Sequence, residues 1–304
     1  MAMAFGPVQE LEALVGEPYL APGRHGPWHR VRESMAHRGV AVVYGRRDDW
    51  LPADLDAPEL RPLLGRDWIR QRTLGHPEAR ARFVASRLLL KTTAAAVFDC
   101  PPHLLDVAYR LGGRPYLRGC EQLDISLSHT ERLMLVGLSR RGVIGVDAEV
   151  ATRRMYGTGV ELYACTAEER AALESLPAEL RNDALVRLWT LKEAYSKAIG
   201  AGLRLRFTRF GFALDGPPGT LPRPPGAAGA AGAADAAGPP GPPGGAPPGH
   251  QPAGGAHWSF GSGLVDGRYL ASVALGDLGE GRTGLPTGVE LASAPLPFEA
   301  VAGA

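Results

Sequence analysis

Hydrophobic and polar residues alternate along the chain with two different periods, and the changes between them mark out its elements. A β-branched run, Gly39-Val-Ala-Val-Val-Tyr44, closed by Gly45, predicts a first strand. Residues 63–72 repeat at helical spacing with Arg66 and Arg70 on one face, and His76-Pro77 opens a longer helix reaching about Phe98, with proline at its favoured first position. Gly112-Gly113-Arg114-Pro115 is a turn by composition. Residues 123–128 then alternate as a half-buried strand leading into His129-Thr130. Two further strands, 133–138 and 143–150, follow across a tight turn at Arg140-Arg141-Gly142, which makes an antiparallel meander.

Thr166-Ala-Glu168-Glu169 carries a Thr-x-x-Glu capping box that opens a short helix. A longer helix is predicted from about Asn182 to Ile199, stopped by Gly200. Residues 203–207 and 210–214 alternate again and predict strands flanking it, and Asp266-Gly267 joins 257–260 to 269–274 as a returning hairpin. Residues 1–37 mix glycine and proline with a short apolar segment and read as an N-terminal extension. Residues 216–256 are almost wholly Gly, Pro and Ala, too poor in apolar bulk for a core, and read as a flexible surface insertion. The tail 277–304 reads as loose.

Composition narrows the function classes. The chain has 304 residues, enough for one large or two modest domains. Its 33 basic and 32 acidic residues give no basic bias of the kind nucleic-acid binders show, so any anion site must come from local clustering. Three cysteines, Cys100, Cys120 and Cys165, lack a C-x-x-C spacing and argue against a disulfide framework or a thiolate zinc site. No signal peptide or apolar run of membrane-spanning length is present, so a soluble, cytoplasmic protein is expected, with neither nucleic acid nor membrane as partner. P-loop, G-x-G-x-x-G, H-E-x-x-H and G-x-S-x-G patterns are absent.

Two stretches carry the chemistry. In Gly145-Val146-Asp147-Ala148-Glu149 the carboxylates alternate with apolar residues, so Asp147 and Glu149 share a strand face roughly 6–7 Å apart. In Trp189-Thr-Leu-Lys192-Glu193-Ala-Tyr-Ser-Lys197-Ala-Ile-Gly200, residues Trp189, Glu193 and Lys197 stack at i,i+4 steps. Taken alone, Glu193 and Lys197 are equally a helix-stabilising ion pair, and Trp189 is a core residue. If the strand and helix face one another, three carboxylates and an ammonium meet, which suits a divalent cation holding a diphosphate. Arg82, Arg87 and Lys91 add positive charge to the 77–98 helix; Arg87 and Lys91 share a face from which Arg82 is turned away. They read either as a solvated surface with snorkelling stems or as phosphate ligands. Ser128 and His129 are adjacent in an extended segment and point to opposite faces, which excludes them as a nucleophile and base pair.

Gly-Val-Asp-Ala-Glu followed by Trp-x-x-Lys-Glu-Ala-x-x-Lys-x-x-Gly-x-Gly resembles the paired signature of the 4′-phosphopantetheinyl transferases, specifically the long, monomeric Sfp type. The resemblance spans roughly residues 39–274. It implies an α+β fold of two similar α/β halves, each a small, mainly antiparallel sheet packed with helices, related by a pseudo-twofold axis. The halves would be 38–142 and 143–276. It also implies transfer of the 4′-phosphopantetheine arm of coenzyme A to a serine of an apo acyl or peptidyl carrier protein, with magnesium, or alternatively manganese, as cofactor.

On that resemblance Asp147, Glu149 and Glu193 are the metal ligands, and Glu193 is also the candidate general base, directly or through water. Lys197 is the catalytic lysine at the α-phosphate. Arg82 matches a basic residue that binds the coenzyme A 3′-phosphate, and Arg66 matches a basic position in the preceding helix. A second basic position there falls on Ile69, for which Arg70 can substitute. Arg114 stands in a Gly-Lys-Pro element as Arg for Lys, and Ser128 with His129 resembles a Ser-His-Ser element at the coenzyme phosphates. Ala148 replaces a commoner bulky aliphatic and is expected to face the core. The alternatives are a metal-dependent phosphohydrolase using the same carboxylates, or a non-catalytic module that binds coenzyme A or a carrier domain.

Overall fold

The structure is a computed structural model that describes residues 3–4, 8–212 and 257–277. Strands β1 (Val8–Glu10) and β2 (Tyr19–Leu20) and helix α1 (Trp28–His37) come first. They are followed by β3 (Val40–Arg46), α2 (Pro77–Phe98), β4 (Asp124–Thr130), β5 (Leu133–Ser139), β6 (Gly142–Val150), α3 (Ala178–Ile199), β7 (His257–Val265) and β8 (Tyr269–Asp277), with short helices and turns between.

A strand, a long helix and a two-strand hairpin occur twice, as β3-α2-β4-β5 and as β6-α3-β7-β8. In both, the third strand of the unit lies between the first and the second, pairing antiparallel with each. A short parallel strand extends each sheet, β2 beside β3 and β1 beside β7. This is the α+β architecture of two similar halves that the sequence implies. The first 37 residues, read from the sequence as an extension, supply β1, β2, α1 and the helix Leu11–Val15, and their Val15 and Val31 are fully buried.

Period-2 alternation sorts each strand between two cores. Ala41 and Val43 of β3 join Val84 and Leu88 of α2, whereas Val40 and Val42 pack with Ile144, Val146 and Ala148 of β6. Leu270 and Ala274 of β8 lie in the core with α3, whereas Val273 and Leu275 join the core between the sheets. The layers are therefore helix, sheet, sheet, helix. Burial on both faces explains why β5, Leu-Met-Leu-Val-Gly-Leu-Ser, is buried at every position.

Local signals appear where expected. Asp266 and Gly267 both have positive φ, 54° and 64°, as the tight turn joining β7 and β8 requires. Thr166 and Glu169 form both bonds of the capping box. Three expectations change. The helix expected over 63–72 breaks at Gly65, whose φ is 58°, into Leu60–Leu64 and Asp67–Arg72, with Arg66 ahead of the second. Residues 203–207 form no strand: 3-10 turns at Gly202–Arg204 and Phe207–Arg209 lead to a two-residue strand, Phe210–Gly211, paired with Met3–Ala4. Leu205, Phe207, Phe210 and Phe212 drop into the core with α3, so their spacing records a chain wrapping a helix end. Helix α3 starts at Ala178, before the expected Asn182, whose side chain instead accepts N–H bonds from Met155 and Tyr156 at 2.8 and 3.2 Å. The 216–256 insertion, the end of the expected 210–214 strand and the tail after Asp277 lie outside the described residues.

A candidate active site at the seam between the sheets

Edge strands β4 and β6 meet where the halves join, and the polar positions of β4 hold them together. Asp124 Oδ2 accepts the Ile144 N–H at 2.7 Å, and Ser126 Oγ accepts the Val146 N–H at 3.0 Å. Ser128 Oγ donates to Asp147 Oδ1 at 2.8 Å, and Thr130 Oγ1 donates to Glu149 Oε2 at 3.2 Å. Every second residue of β4 is thus a rung, and the last two rungs hold the acidic pair.

Helix α3 covers the other side. A Cβ at Gly145 would fall 1.8 Å from the Ala194 carbonyl oxygen, so glycine alone permits this approach. Glu193 and Lys197 lie on either side of Ala194 along α3, and Lys197 Nζ donates to Asp147 Oδ1 at 2.6 Å and to Ser128 Oγ at 2.9 Å. The helix-stabilising ion pair between Glu193 and Lys197 does not form. Glu193 makes no hydrogen bond or ion pair among the described residues. Trp189 packs edge-to-face on Phe207, with ring centroids 5.7 Å apart, as a core residue.

Burial first, and then the negative field of Asp147, pushes Glu193 up to about 7; Lys197 opposes the shift and Glu149 adds to it. Burial and Asp147 also raise Glu149, restrained by Arg153, which donates to it at 2.7 Å, and by Thr130. The three carboxylates therefore lie within each other's fields. They do not close into a cage: among the described residues no three His, Cys, Asp or Glu side chains form a set that could hold a metal ion. Like charges repel, Lys197 draws Asp147 aside and Arg153 draws Glu149. The donor chemistry nonetheless fits a hard divalent cation, because all candidate ligands are carboxylate oxygens and Asp147 Oδ2 is buried without a hydrogen-bond partner.

The basic residues divide. His129 is exposed on the face opposite Ser128; the surrounding protein, then the positive fields of Lys197, Arg82 and Arg87, push its pKa down, an effect that solvent at the exposed ring moderates. Arg82 is partly buried and makes no hydrogen bond or ion pair among the described residues. Arg66 is well exposed and reaches Asp106 only at 3.8 Å. Arg70 lies over the Tyr109 ring at 4.8 Å. Arg114, expected at the coenzyme, is placed differently. Its guanidinium, 3 % exposed, forms a two-pronged pair with Asp124 and donates to the Lys197 and Ile144 carbonyls at 3.0 and 3.2 Å. A planar fork inside the protein finds carboxylate and carbonyl partners that a lysine could not match.

Several supporting residues escaped the sequence reading. Thr130 and Arg153 hold Glu149, and Asp124 holds Arg114; the polar half of the β4 alternation was the available signal. Lys192, in the Lys-Glu pair of the motif, is fully buried and donates to Glu169 and to the Ala164, Phe207 and Phe210 carbonyls. It pins the surrounding loops to α3.

Fold and seam define a two-halved α+β protein with a lysine beside clustered carboxylates. Residues 143–223, the stretch carrying β6 and α3, match the family model of the 4′-phosphopantetheinyl transferase superfamily. It is 33 % identical over 129 residues to a putative 4′-phosphopantetheinyl transferase of Synechocystis, covering 42 % of this chain and 52 % of that protein. It is 32 % identical over 130 residues to the 4′-phosphopantetheinyl transferase HetI of Nostoc, covering 42 % and 55 %. A third relative, the L-aminoadipate-semialdehyde dehydrogenase-phosphopantetheinyl transferase of Eremothecium gossypii, is 32 % identical over 152 residues, covering 48 % and 54 %. The chain spans about half the length of the curated relatives it matches. No helix among the described residues is long and apolar enough to cross a membrane.

Proposed function

We propose that this protein transfers the 4′-phosphopantetheine arm of coenzyme A to a serine hydroxyl of an apo acyl or peptidyl carrier protein, releasing adenosine 3′,5′-bisphosphate. The observation that carries this reading is the meeting of Asp147, Glu149, Glu193 and Lys197 at one seam, with Asp147 Oδ2 buried and unpaired. Both repeats lie in one chain, which supports the long, monomeric Sfp type. Relatives carrying the transferase name support the reaction class.

Asp147, Glu149 and Glu193 would hold magnesium, which when bound neutralises the diphosphate and polarises the phosphorus under attack. Lys197, already in contact with Asp147, is placed to bind the α-phosphate and favour departure of the nucleotide. Ser128 orients both Lys197 and Asp147. Glu193 is placed to take the serine proton, directly or through a water. His129, Arg82 and Arg66 would bind the nucleotide phosphates, with Arg114 acting from behind through its bond to the Lys197 carbonyl.

The test is mass spectrometry of apo carrier proteins incubated with protein, magnesium and coenzyme A. A gain in carrier mass equal to the arm supports the reading. Coenzyme A cleavage with no change in carrier mass identifies a phosphohydrolase, and binding without turnover identifies a non-catalytic module.

A further inference from the structure

Away from the seam, a cavity of about 410 Å³ opens between α1 and the C-terminal half of α2. We propose that it binds a small organic anion, a carboxylate or phosphate monoester on a flat apolar body, with Lys91 as the counter-ion.

Lys91 carries the inference. It lines the cavity and is only 2 % exposed, yet its ammonium makes no hydrogen bond or ion pair among the described residues. A buried cation is normally paired or neutralised, because desolvation without a partner is costly. The acids whose fields reach it, Asp106 and Asp67, are already engaged. Asp67 accepts from Arg87 at 3.2 Å and from Tyr109, and Asp106 holds Arg118 at 3.1 Å. An anion in the cavity would supply what the protein leaves unfilled.

The rim agrees in sign. Arg24 and Arg32 also line the cavity, and Asp99 is the only carboxylate among the lining residues, bridged loosely to Arg32 at 3.7 Å. Three cations thus face one anion. The Trp28 ring and Leu63 add an apolar wall, so the lining combines a few charges with a hydrophobic surface, as small-molecule sites do. The volume suits a one-ring ligand better than a nucleotide with a long arm. Position separates it from the proposed coenzyme site: Lys91 lies about 13 Å along α2 from Arg82, and none of the seam residues lines the cavity.

The test is calorimetric titration of the whole protein with phenyl phosphate, benzoate and inorganic phosphate. Saturable binding of at least one aromatic anion is expected, tighter than inorganic phosphate. Loss of the charge-assisted contact should weaken it about tenfold or more in Lys91→Met, and by less in Arg32→Gln at the rim. Methionine fills the lysine's volume without a buried charge, so Lys91→Met should fold; if it does not, Arg32→Gln alone decides. The proposal is overturned if neither aromatic anion binds at millimolar concentration, if the folded variants bind as tightly as the parent, or if coenzyme A displaces the probe.

Discussion

Glu193 sits where three influences disagree. Burial and two carboxylates favour its proton, and Lys197 opposes them, leaving it at about 7 against an ordinary 4.5. The folded metal-free protein therefore binds more protons than the unfolded chain between those values, so Glu193 makes stability fall as pH rises through that window. His129, pushed below its ordinary 6.5, acts in the opposite direction below that value. Comparing Glu193→Gln with the parent isolates the first effect. The variant should match the parent below pH 4.5 and exceed it by roughly 1–3 kcal/mol above pH 7, measured by urea unfolding without divalent metal. In the carrier assay the same variant should lose turnover by about a hundredfold or more. Ser128→Ala, which leaves Asp147 and Lys197 without their shared hydroxyl, should cost about 1–3 kcal/mol of stability and lower kcat more than it changes KM for coenzyme A.

At the scale of elements, Lys192 ties α3 to the loops around it. One ammonium gathers three carbonyls and Glu169, which also caps the helix Ala167–Ser175. Lys192→Met should therefore destabilise the protein by about 3–5 kcal/mol in urea melts, because Glu169 is left charged and buried. The long elements were legible because their signals are local: the Pro77 start of α2, the Thr166 box, the Gly200 stop and the Asp266-Gly267 turn all stand where the sequence put them. The 203–207 segment was misread for a physical reason. An apolar residue every second or third position is what a strand shows, and also what an irregular chain shows when it folds round a helix end. Strand and helix periods put Asp147 with Glu149 on one face and Glu193 with Lys197 one turn apart, and the resemblance to the transferases joined them into one candidate site. Arg114 could not be placed, because its bond to Asp124 joins residues on different elements and no local period records it.

For the whole molecule, the halves are interleaved in sequence. Strand β1 comes from the extreme N-terminal part of the chain yet completes the second sheet beside β7, and the helix Leu11–Val15 packs between the sheets. Deleting residues 1–10 should therefore lower the melting temperature and expose the β7 edge, seen as concentration-dependent association in sedimentation. A fragment beginning at residue 143 should not fold cooperatively, since it lacks both β1 and the β4 rungs that steady β6.

The absent side chain at position 145 has a consequence for the chemistry. One added methyl group would act as a wedge under Ala194, lifting Glu193 and Lys197 together from the strand they serve. Gly145→Ala alters no charged or hydrogen-bonding group, yet it should silence carrier modification while circular dichroism still reports the native helix content.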